Sequence, residues 1–585
     1  MKALRRNSYI VSKALRTFVA AAVLTAAAAQ LAHTVDSMIV GHVVGHHAVS
    51  AINLVLPLVE VLNCMAFLIC FGANAVCAQA IGRHDMDKAA RTFTSTVITV
   101  MTLGVAVALG ISFFSREIVE LMSDEPELNG MAYDYIHIYA MGAWLQMLSY
   151  GLSLFVATDG RPRMVTVAVV AGALVNVAVD FVTIRVMGMG VDGAALGSLS
   201  MFAVNIVILL VYLRRPESSY RLKWPGRSIV SIFMENVREG APVTVSNSFM
   251  AVTIMLINDI VLRYLGCDGL FIWSVCLQML LLSYVFIDGV IESMFAIGGV
   301  LVGERDLRGL EILVKQALII IAVLVTLVIF VMYVPGVVGQ FFGVAPGCAL
   351  SVELDRVLRI FALMLIPFAV TQILLSTYQI LGHDKASVVT AVAQTAMLVV
   401  GVWSVARVHG VELWWGFVLA CVLVLLFQVG FTTLHSRLIK AHISPLTMIP
   451  RDTGGPTFDR SVCYDTEDVN ATLADIDAFL RDSGVSAAAA FKINLCCEEL
   501  MTNIANYAQG RVTQRTFDVH IQVNAEGIFV TLKDAGRPFD PVSVGKAADA
   551  ADSGHLGLKL VTGVVPDITY KYMYGQNTVF ICQKL

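Results

Sequence analysis

The chain has 585 residues, of which 57% are hydrophobic and only 14% are charged, and its net charge at pH 7 is −4. Soluble globular proteins carry about 25% charged residues, so this composition excludes a soluble protein along the whole length and favours a polytopic membrane protein. The shortage of charge lies almost entirely before residue 440, and a polar tail follows. The acidic balance argues against a nucleic-acid partner.

The apolar part predicts twelve membrane-spanning helices in two groups of six, because each span needs about 20 mainly apolar residues. The first group is 17–41, 50–73, 92–113, 134–157, 164–187 and 193–213. The second group is 242–265, 270–292, 314–334, 356–380, 388–407 and 412–434. The first stretch is longer than the apolar core of a secretory signal, so we expect it to remain as a helix.

Basic residues are concentrated in alternate loops. The loops on the side of the N-terminal segment contain Arg83, Lys88, Arg91, Arg161, Arg163, Arg214, Arg215, Arg305, Arg308 and Lys385. The opposite loops contain scattered cases such as Arg116 and Arg407, a ratio of roughly three to one. Basic loops stay in the cytosol. The pattern therefore predicts a multi-pass protein of the cytoplasmic (inner) membrane with both termini in the cytosol.

The apolar part also contains a weak internal repeat. Gly82, in AIGRHD, corresponds to Gly303, in LVGERD, at an offset of 221 residues. Gly160 and Gly382 correspond at an offset of 222. Six predicted spans separate each pair, an even number, so the two copies run in the same direction. The repeat predicts two six-helix lobes, 1–227 and 228–440, related by an axis along the membrane normal.

Four polar side chains lie within predicted spans of the first lobe. Asp36 is in the first span, Asn176 and Asp180 are four residues apart on one face of the fifth, and Ser198 is in the sixth. An ionisable group at mid-bilayer costs about 2.5–3.5 kcal/mol, so it usually marks a pathway. Side-chain oxygen atoms can bind Na⁺, and two neighbouring carboxylates can bind a proton because their like charges repel each other. The alternative is that Asp36 and Asp180 lie at membrane interfaces and are merely solvated.

The second lobe offers a less definite set of candidates. Asn258 and Asp259 lie in the seventh predicted span, and Asp288 and Glu292 lie one turn apart in the eighth. The last two acids either line a cavity or lie near its cytoplasmic mouth. Coupling through this lobe is therefore left open.

Several segments within the first 440 residues resemble a known family. The resembling pieces are DSMIVG at 36–41, GANAVCAQAIG at 72–82, DGRP at 159–162, NVAVD at 176–180 and GVDGAAL at 190–196. In order and spacing they resemble the multidrug and toxic compound extrusion (MATE) transporters. The resemblance implies an all-α bundle of twelve helices and cation-coupled (H⁺ or Na⁺) antiport of organic or cationic compounds across the lipid bilayer. It also implies a cation site at Asp36, Asn176, Asp180 and Ser198.

The polar tail has the pattern of one α+β domain. Pro- and Gly-containing residues 441–455 predict a linker, and 456–585 predict a domain. Strands are predicted at 457–464, 516–523, 527–533, 567–574 and 577–584, and helices at 466–482, 487–509 and 557–564. Helices followed by antiparallel strands indicate an α+β sandwich.

Motifs in the tail suit the chemistry of phosphate and magnesium. Glu499 and Asn503 are spaced i,i+4 and lie on one helix face, where an amide oxygen can hold Mg²⁺ and a carboxylate can orient a nucleophile. Asp534 follows a strand and can accept a hydrogen bond from an adenine amino group, and Gly536 lets the backbone approach the base. Gly554 and Gly557 permit a lid in front of a helix N-terminus that meets phosphates.

The order ExxxN, DxGxPFD and GHLGLKLV resembles the histidine-kinase-like ATPase fold, nearest to the serine kinases that act on anti-sigma factors. The resemblance covers nearly all of residues 457–585. It implies that Glu499 is the catalytic carboxylate, Asn503 the Mg²⁺ ligand and Asp534 the adenine-binding residue. His555 departs from the pattern at a glycine position, and no phospho-accepting histidine box precedes the domain. ATP binding is therefore expected, whereas turnover and kinase activity are left open.

Three functions are consistent with these patterns. The leading hypothesis is a cation-coupled exporter whose cytosolic ATP-binding domain regulates it and contacts a cytosolic regulatory protein. The alternatives are a membrane-anchored serine kinase that uses the bundle as a sensor, and a flippase for lipid-linked precursors. Direct ATP-driven pumping is not expected, because the chain has no GxxxxGK[ST] motif.

Overall fold

The structure is a computed structural model. It describes residues 7–44, 46–83, 85–122, 126–216, 218–342, 344, 347–438, 444, 446–450, 454–508, 516–547, 556–565 and 567–584. The elements described in the membrane part are all helices, and those described in the tail are helices and one sheet.

The described part of the first lobe contains eight α-helices and two π-helical segments. The helices are α1 (Tyr9–Val43), α2 (His46–Ala66), α3 (Gly72–Gly82), α4 (Met86–Met122), α5 (Pro126–Met141), α6 (Ala143–Thr158), α7 (Pro162–Asp180) and α8 (Val191–Leu213). One π segment, Phe67–Phe71, joins α2 to α3, and the other, Phe181–Val186, extends α7. Helix α1 begins eight residues before the predicted start at residue 17, so it projects beyond the apolar span.

Six α-helices lie within the described residues of the second lobe. They are α9 (Ile229–Gly303), α10 (Leu307–Tyr333), α11 (Val337–Phe341), α12 (Ala349–Ile380), α13 (Asp384–His409) and α14 (Trp414–Leu438). Helix α9 is interrupted at Gly266, whose φ of +67° is outside the helical region and suits glycine. The seventh and eighth predicted spans are therefore the two parts of α9.

Among the described residues, ten helices are long and apolar enough to cross a membrane. The bent pair of α5 and α6, which meet at an angle of 51°, raises the number to eleven. The seventh predicted span, 242–265, is the one outside this set. It lies in the first part of α9 and includes Pro242, Asn258 and Asp259.

The two lobes meet along a seam of small residues between α3 and the end of α9. A Cβ on Gly82 would lie 2.1 Å from the Val300 carbonyl oxygen, and one on Gly303 would lie 2.8 Å from the Gly82 Cα. Gly82 and Gly303 are the residues that the sequence repeat pairs. Equivalent positions contact each other where a pseudo-twofold axis passes between two copies, so the seam agrees with a parallel repeat.

The seam lies on the side of the bundle that contacts the tail. We call this the domain side. The core on this side combines both lobes with Met573 and Tyr574 of the tail, and Phe71 packs edge-to-face on Phe295 across the seam at 4.6 Å. Near the opposite helix ends a separate core, which includes Val40 and Val191, contains first-lobe residues alone among those described. The lobes are thus closed against each other on the domain side.

The tail forms a five-stranded antiparallel sheet in the order β1-β2-β3-β5-β4. Its strands are β1 (Thr457–Cys463), β2 (Thr516–Asn524), β3 (Gly527–Asp534), β4 (Ile568–Met573) and β5 (Gln576–Gln583). Its helices are α15 (Thr466–Asp482), α16 (Ala487–Ala508), α17 (Pro541–Ala547) and α18 (Leu556–Val564). The strands and three of these helices agree with the predicted ones within one or two residues.

Helix α17 was not predicted, although its start follows a common rule. The Asp540 side chain accepts hydrogen bonds from the backbone N–H groups of Val542 and Ser543, and Pro541 occupies the first helical position. An acidic N-cap followed by proline favours helix initiation. The DxGxPFD motif therefore ends in a helix cap.

The described part of the predicted linker packs on the bundle. Tyr378 donates a hydrogen bond to the Leu446 carbonyl at 3.0 Å, and Met448 and Ile449 are buried. This segment is therefore attached to the second lobe and is not a free spacer.

Candidate functional site

The four first-lobe residues singled out in the sequence are all buried in the structure. Asp36 comes from α1, Asn176 and Asp180 from α7, and Ser198 from α8. The Asn176 Nδ2 donates to Asp180 Oδ2 at 3.0 Å, across one helical turn. The two carboxyl groups are close enough to interact electrostatically. The alternative in which Asp180 is an exposed interfacial acid does not fit its 0% exposure.

A glycine makes room for the Asp180 carboxylate. A Cβ on Gly197 would lie 1.7 Å from Asp180 Oδ1 and 3.0 Å from Asn176 Nδ2. Helix α8 therefore presses its backbone against the polar face of α7, and this close approach needs glycine. Ser198 is the next residue along α8.

Tyr135 of α5 belongs to this cluster, although the sequence analysis missed it. It is buried and lies near Ser198, Asp36 and Asp180. A tyrosine within an apolar helix has no local signal that separates it from packing residues. Its polar neighbours come from three other helices.

The donor set of the cluster fits a small cation or a proton. Within the described residues, Asp36 Oδ1 and Asp180 Oδ1 are buried without a hydrogen-bond partner. Buried carboxylate oxygens are costly unless they are paired, protonated or bound to a cation. Carboxylate, amide and hydroxyl oxygens are ligands that a hard cation accepts.

The second-lobe candidates fall into two separate groups. Asp288 lines a cavity of about 170 Å³ together with Tyr284, Gln372 and Gln394, and Glu292 follows one turn later on α9. Asp259 is instead exposed and paired with Arg263 at 2.8 Å, while Asn258 Oδ1 accepts a hydrogen bond from the Trp273 indole. Because Asn258 and Asp259 have these local partners, they do not contribute to the cavity.

In the tail, the proposed catalytic carboxylate lies against the start of α18. A Cβ on Gly557 would lie 1.9 Å from Glu499 Oε2, so only glycine fits between the lid helix and the carboxylate. Asn503 Nδ2 donates to the Glu499 backbone carbonyl at 2.7 Å. This hydrogen bond uses the amide nitrogen, which leaves the amide oxygen as the atom that can bind Mg²⁺. Gly554 lies outside the described residues.

Asp534 is held at the end of β3 by a compact polar network. Its Oδ1 accepts hydrogen bonds from the Gly536 N–H at 2.7 Å and from Asn577 Nδ2 at 3.0 Å. Burial raises the pKa of Asp534 above its ordinary value, and these two donors oppose the rise. A buried carboxylate with a remaining free edge is suited to accept from an adenine amino group.

Asn577 of β5 is a second residue that the sequence analysis missed. Besides Asp534, its Nδ2 donates to the Arg537 carbonyl at 2.9 Å, and its Oδ1 accepts from the Phe539 N–H and the Tyr570 hydroxyl. It therefore fixes the DxGxPF loop. The alternating apolar and polar pattern of β5 does not distinguish Asn577 from other polar residues of the strand. The loop that it holds lies 40 residues earlier in the chain.

The comparisons with known proteins agree with this architecture. Residues 21–182 match the MatE family, and residues 464–582 match the histidine kinase-like ATPase domain. The multidrug export protein MepA of Staphylococcus saprophyticus is 24% identical over 220 residues, which are 37% of this chain and 49% of that protein. MepA of Staphylococcus haemolyticus is 21% identical over 365 residues, 62% of this chain and 79% of that protein. The first of these alignments thus spans about half the length of the relative.

A solved MATE-family transporter described as outward-facing superposes with a TM-score of 0.66 and 20% identity, covering 74% of this chain and 96% of that one. At this identity the likeness shows the fold. The bundle is thus a multi-pass membrane bundle with the fold of the MATE transporters. The chain joins this bundle, in which residues 21–182 match the MatE family, to a C-terminal region that matches the histidine kinase-like ATPase domain.

Proposed function

We propose that the chain is a cation-coupled exporter of organic compounds whose ATP-binding domain regulates it. The observation that carries the proposal is the buried cluster of Asp36, Asn176, Asp180 and Ser198 in the first lobe. Buried acids inside a membrane bundle are expensive and generally serve transport of an ion or proton. The relatives named as multidrug export proteins support organic compounds as the substrate class.

The cluster supports coupling through charge. Two nearby carboxylates in a poorly hydrated site repel each other when both are ionised. A proton or Na⁺ that enters from the far side would relieve this repulsion, and its release on the domain side would restore it. The arrangement of α1, α7 and α8 around Asp180 would then differ between the two states, which is what alternating access requires.

The proposed orientation places the domain side in the cytosol. The basic loops of both lobes, which include Arg161 and Arg305, lie on this side and contact the tail: Arg161 lies over the Tyr572 ring, and Arg305 pairs with Glu526. Basic loops favour the cytosolic face of the inner membrane. The proposed nucleotide site is then supplied with ATP from the cytosol.

The tail residues fit ATP with Mg²⁺ as ligands. Asp534 and Gly536 would hold the adenine, and Asn503 would hold Mg²⁺, which would neutralise phosphate charge when bound. Glu499, packed on Gly557, would orient a nucleophile.

The test is cation-driven efflux of a fluorescent dye from proteoliposomes. Asp180→Asn should reduce the rate at least about tenfold, because an amide cannot cycle between charged and neutral forms. Asp134→Asn, which changes an exposed carboxylate on α5 of the same lobe, should retain nearly the rate of the unchanged protein. Equal efflux in Asp180→Asn and Asp134→Asn would contradict the coupling assignment.

A further inference from the structure

The second face of the ATPase sheet is polar and yet buried. One face, with Val519, Ile521 and Val530, packs on the domain's own helices. The other face carries Phe529 and Phe580 and a set of polar residues that are each at most 7% exposed: Ser461, Asp518, His520, Gln522, Thr531, Lys533 and Thr578. In a sheet covered by helices on one side, such a polar face normally meets water. Here the membrane bundle covers it.

The second lobe meets this face through buried ion pairs. Lys533 Nζ lies 2.5 Å from Glu304 Oε2 and 3.8 Å from Asp306 Oδ2, both in the connection between α9 and α10. Asp306 also clusters with Asp459 and His520 of the sheet, with their polar atoms within 4.8 Å of one another. Because buried charges must be paired, these contacts require the domain to dock at this place.

The first lobe meets the same face through a second ion pair. Lys571 Nζ lies 3.0 Å from Asp159 Oδ1, in the connection between α6 and α7. Asp159 is fully buried and also accepts hydrogen bonds from the Tyr212 hydroxyl and the Ser219 N–H. Its position is therefore fixed by its own lobe. Lys571 and Lys533 thus attach one sheet to both lobes.

The turn between β4 and β5 joins the two lobes directly. Tyr574, with φ of +54°, places its hydroxyl 2.8 Å from the Thr158 carbonyl of α6 and 3.2 Å from the Ala296 carbonyl of α9. One residue of the tail therefore donates to both lobes. Gln576 Nε2 adds a hydrogen bond to the Ile10 carbonyl of α1 at 2.7 Å.

These contacts surround the seam where the lobes close. Ala296 and Glu304 flank Gly303 on α9, and Gly303 touches Gly82 of the first lobe. Opening the bundle on the domain side must separate these helix ends. It would then break the Tyr574 hydrogen bonds or one of the two lysine pairs.

We propose that the ATPase domain is a lock on the domain side of the exporter, with its polar sheet face as the docking surface for both lobes. The docked domain holds the two lobes together, and undocking releases the domain side to open. The regulatory role of this lock rests on the proposed export function, because the process that it would regulate is export. Its structural effect can be measured without transport.

The test is hydrogen–deuterium exchange of the full-length chain in lipid nanodiscs, followed at seam peptides from α3 and the end of α9. Tyr574→Phe removes the bridging hydroxyl while keeping the ring, and Lys533→Gln removes one ion pair. Each should speed exchange at the seam about fivefold, the effect expected for losing one such interaction. Lys492→Gln, an exposed lysine on α16, should leave seam exchange unchanged.

A charge exchange separates the lock from simple misfolding. The double variant Lys533→Glu with Glu304→Lys should restore slow exchange relative to either single change. Unchanged seam exchange in Tyr574→Phe and Lys533→Gln would overturn the lock, as would equal acceleration in Lys492→Gln. Asp180→Asn serves as the separating control: if it exports normally while the lock variants behave as expected, the export mechanism fails and the lock stands.

Discussion

Three of the carboxylates assigned to sites in this chain are packed against glycines. Asp180 lies against Gly197, Glu499 against Gly557 and Asp534 against Gly536, and a Cβ on any of these glycines would come within 2.6 Å of a carboxylate oxygen. Such packing fixes the position of an acid without adding a side chain that competes for its oxygens. Two of the glycines, Gly536 and Gly557, could be predicted because they stand within motifs. Gly197 could not be, since its partner Asp180 is on another helix.

We predict opposite effects of Asp534→Asn on stability and on nucleotide binding. Because burial raises the pKa of this carboxyl in the folded chain, its ionised form opposes folding at pH above its ordinary pKa of 3.8. The amide should therefore raise the unfolding temperature at pH 7. The gain should disappear as the pH falls below the ordinary pKa of 3.8, where the carboxyl becomes protonated in both states. Affinity for a fluorescent ATP analogue should fall about tenfold or more.

Asp567→Asn, at an exposed position of the same domain, is the control for this pair of measurements. Differential scanning fluorimetry and a fluorescence titration on the full-length chain provide the two readouts. A loss of both stability and affinity would show that Asp534 is a structural residue and would remove it from the nucleotide site.

At the scale of elements, α9 connects most of the features described above. It contains the break at Gly266, the acids Asp288 and Glu292, and the seam glycine Gly303. Sequence periodicity indicated two spans here, and the structure links them through one positive-φ glycine. The repeat offset predicted that Gly82 and Gly303 are equivalent. That they touch is a consequence of the symmetry axis and could not be read from either segment alone.

Gly303→Ala should destabilise the chain by about 1–3 kcal/mol, the usual cost of overpacking. Its Cβ would lie 2.3 Å from the Gln79 carbonyl oxygen, and backbone atoms cannot rotate away. The matched control is Gly110→Ala on α4, where no atom lies within 4 Å of the added Cβ and stability should be unchanged or slightly higher. Thermal unfolding of both variants in the same detergent measures the difference. Equal unfolding temperatures would show that the seam is looser than described.

At the scale of the whole molecule, the membrane bundle and the C-terminal domain share a hydrophobic core and are not independent domains joined by a flexible linker. Met573 and Tyr574 pack among residues of both lobes. Asp534 and Asn577 of the proposed nucleotide site directly adjoin Lys533 and Gln576, which contact the bundle. A change in one site therefore has a short physical route to the other. The proposed coupling acids, in contrast, lie in α1 and α7 and have no contact with Glu499 among those described.

Glu499→Gln should therefore leave nucleotide-free, cation-driven dye efflux within about twofold of the rate of the unsubstituted protein. In this proposal Glu499 acts on the nucleotide and takes no part in the transport step. The same variant should lose any ATP hydrolysis or phosphate transfer by the domain. Glu498→Gln, at the exposed neighbouring position on α16, is the control. If efflux falls in Glu499→Gln but not in Glu498→Gln, basal export depends on the nucleotide chemistry and the regulatory role is wrong.

The sequence by itself indicated eleven of the twelve predicted spans, the repeat and the strands of the tail, and it supplied most of the candidate site residues. These features can be recognised from patterns in the sequence: apolar runs, a fixed repeat offset, two-residue alternation and short motifs. The tertiary structure alone decided what the polar sheet face contacts and which residues complete the sites. Lys533 and Glu304 are 229 residues apart in the chain, and Tyr135 and Asn577 acquire their polar partners from distant elements. Contacts of this kind give no signal in the neighbouring sequence, because they form only when the fold brings distant surfaces together.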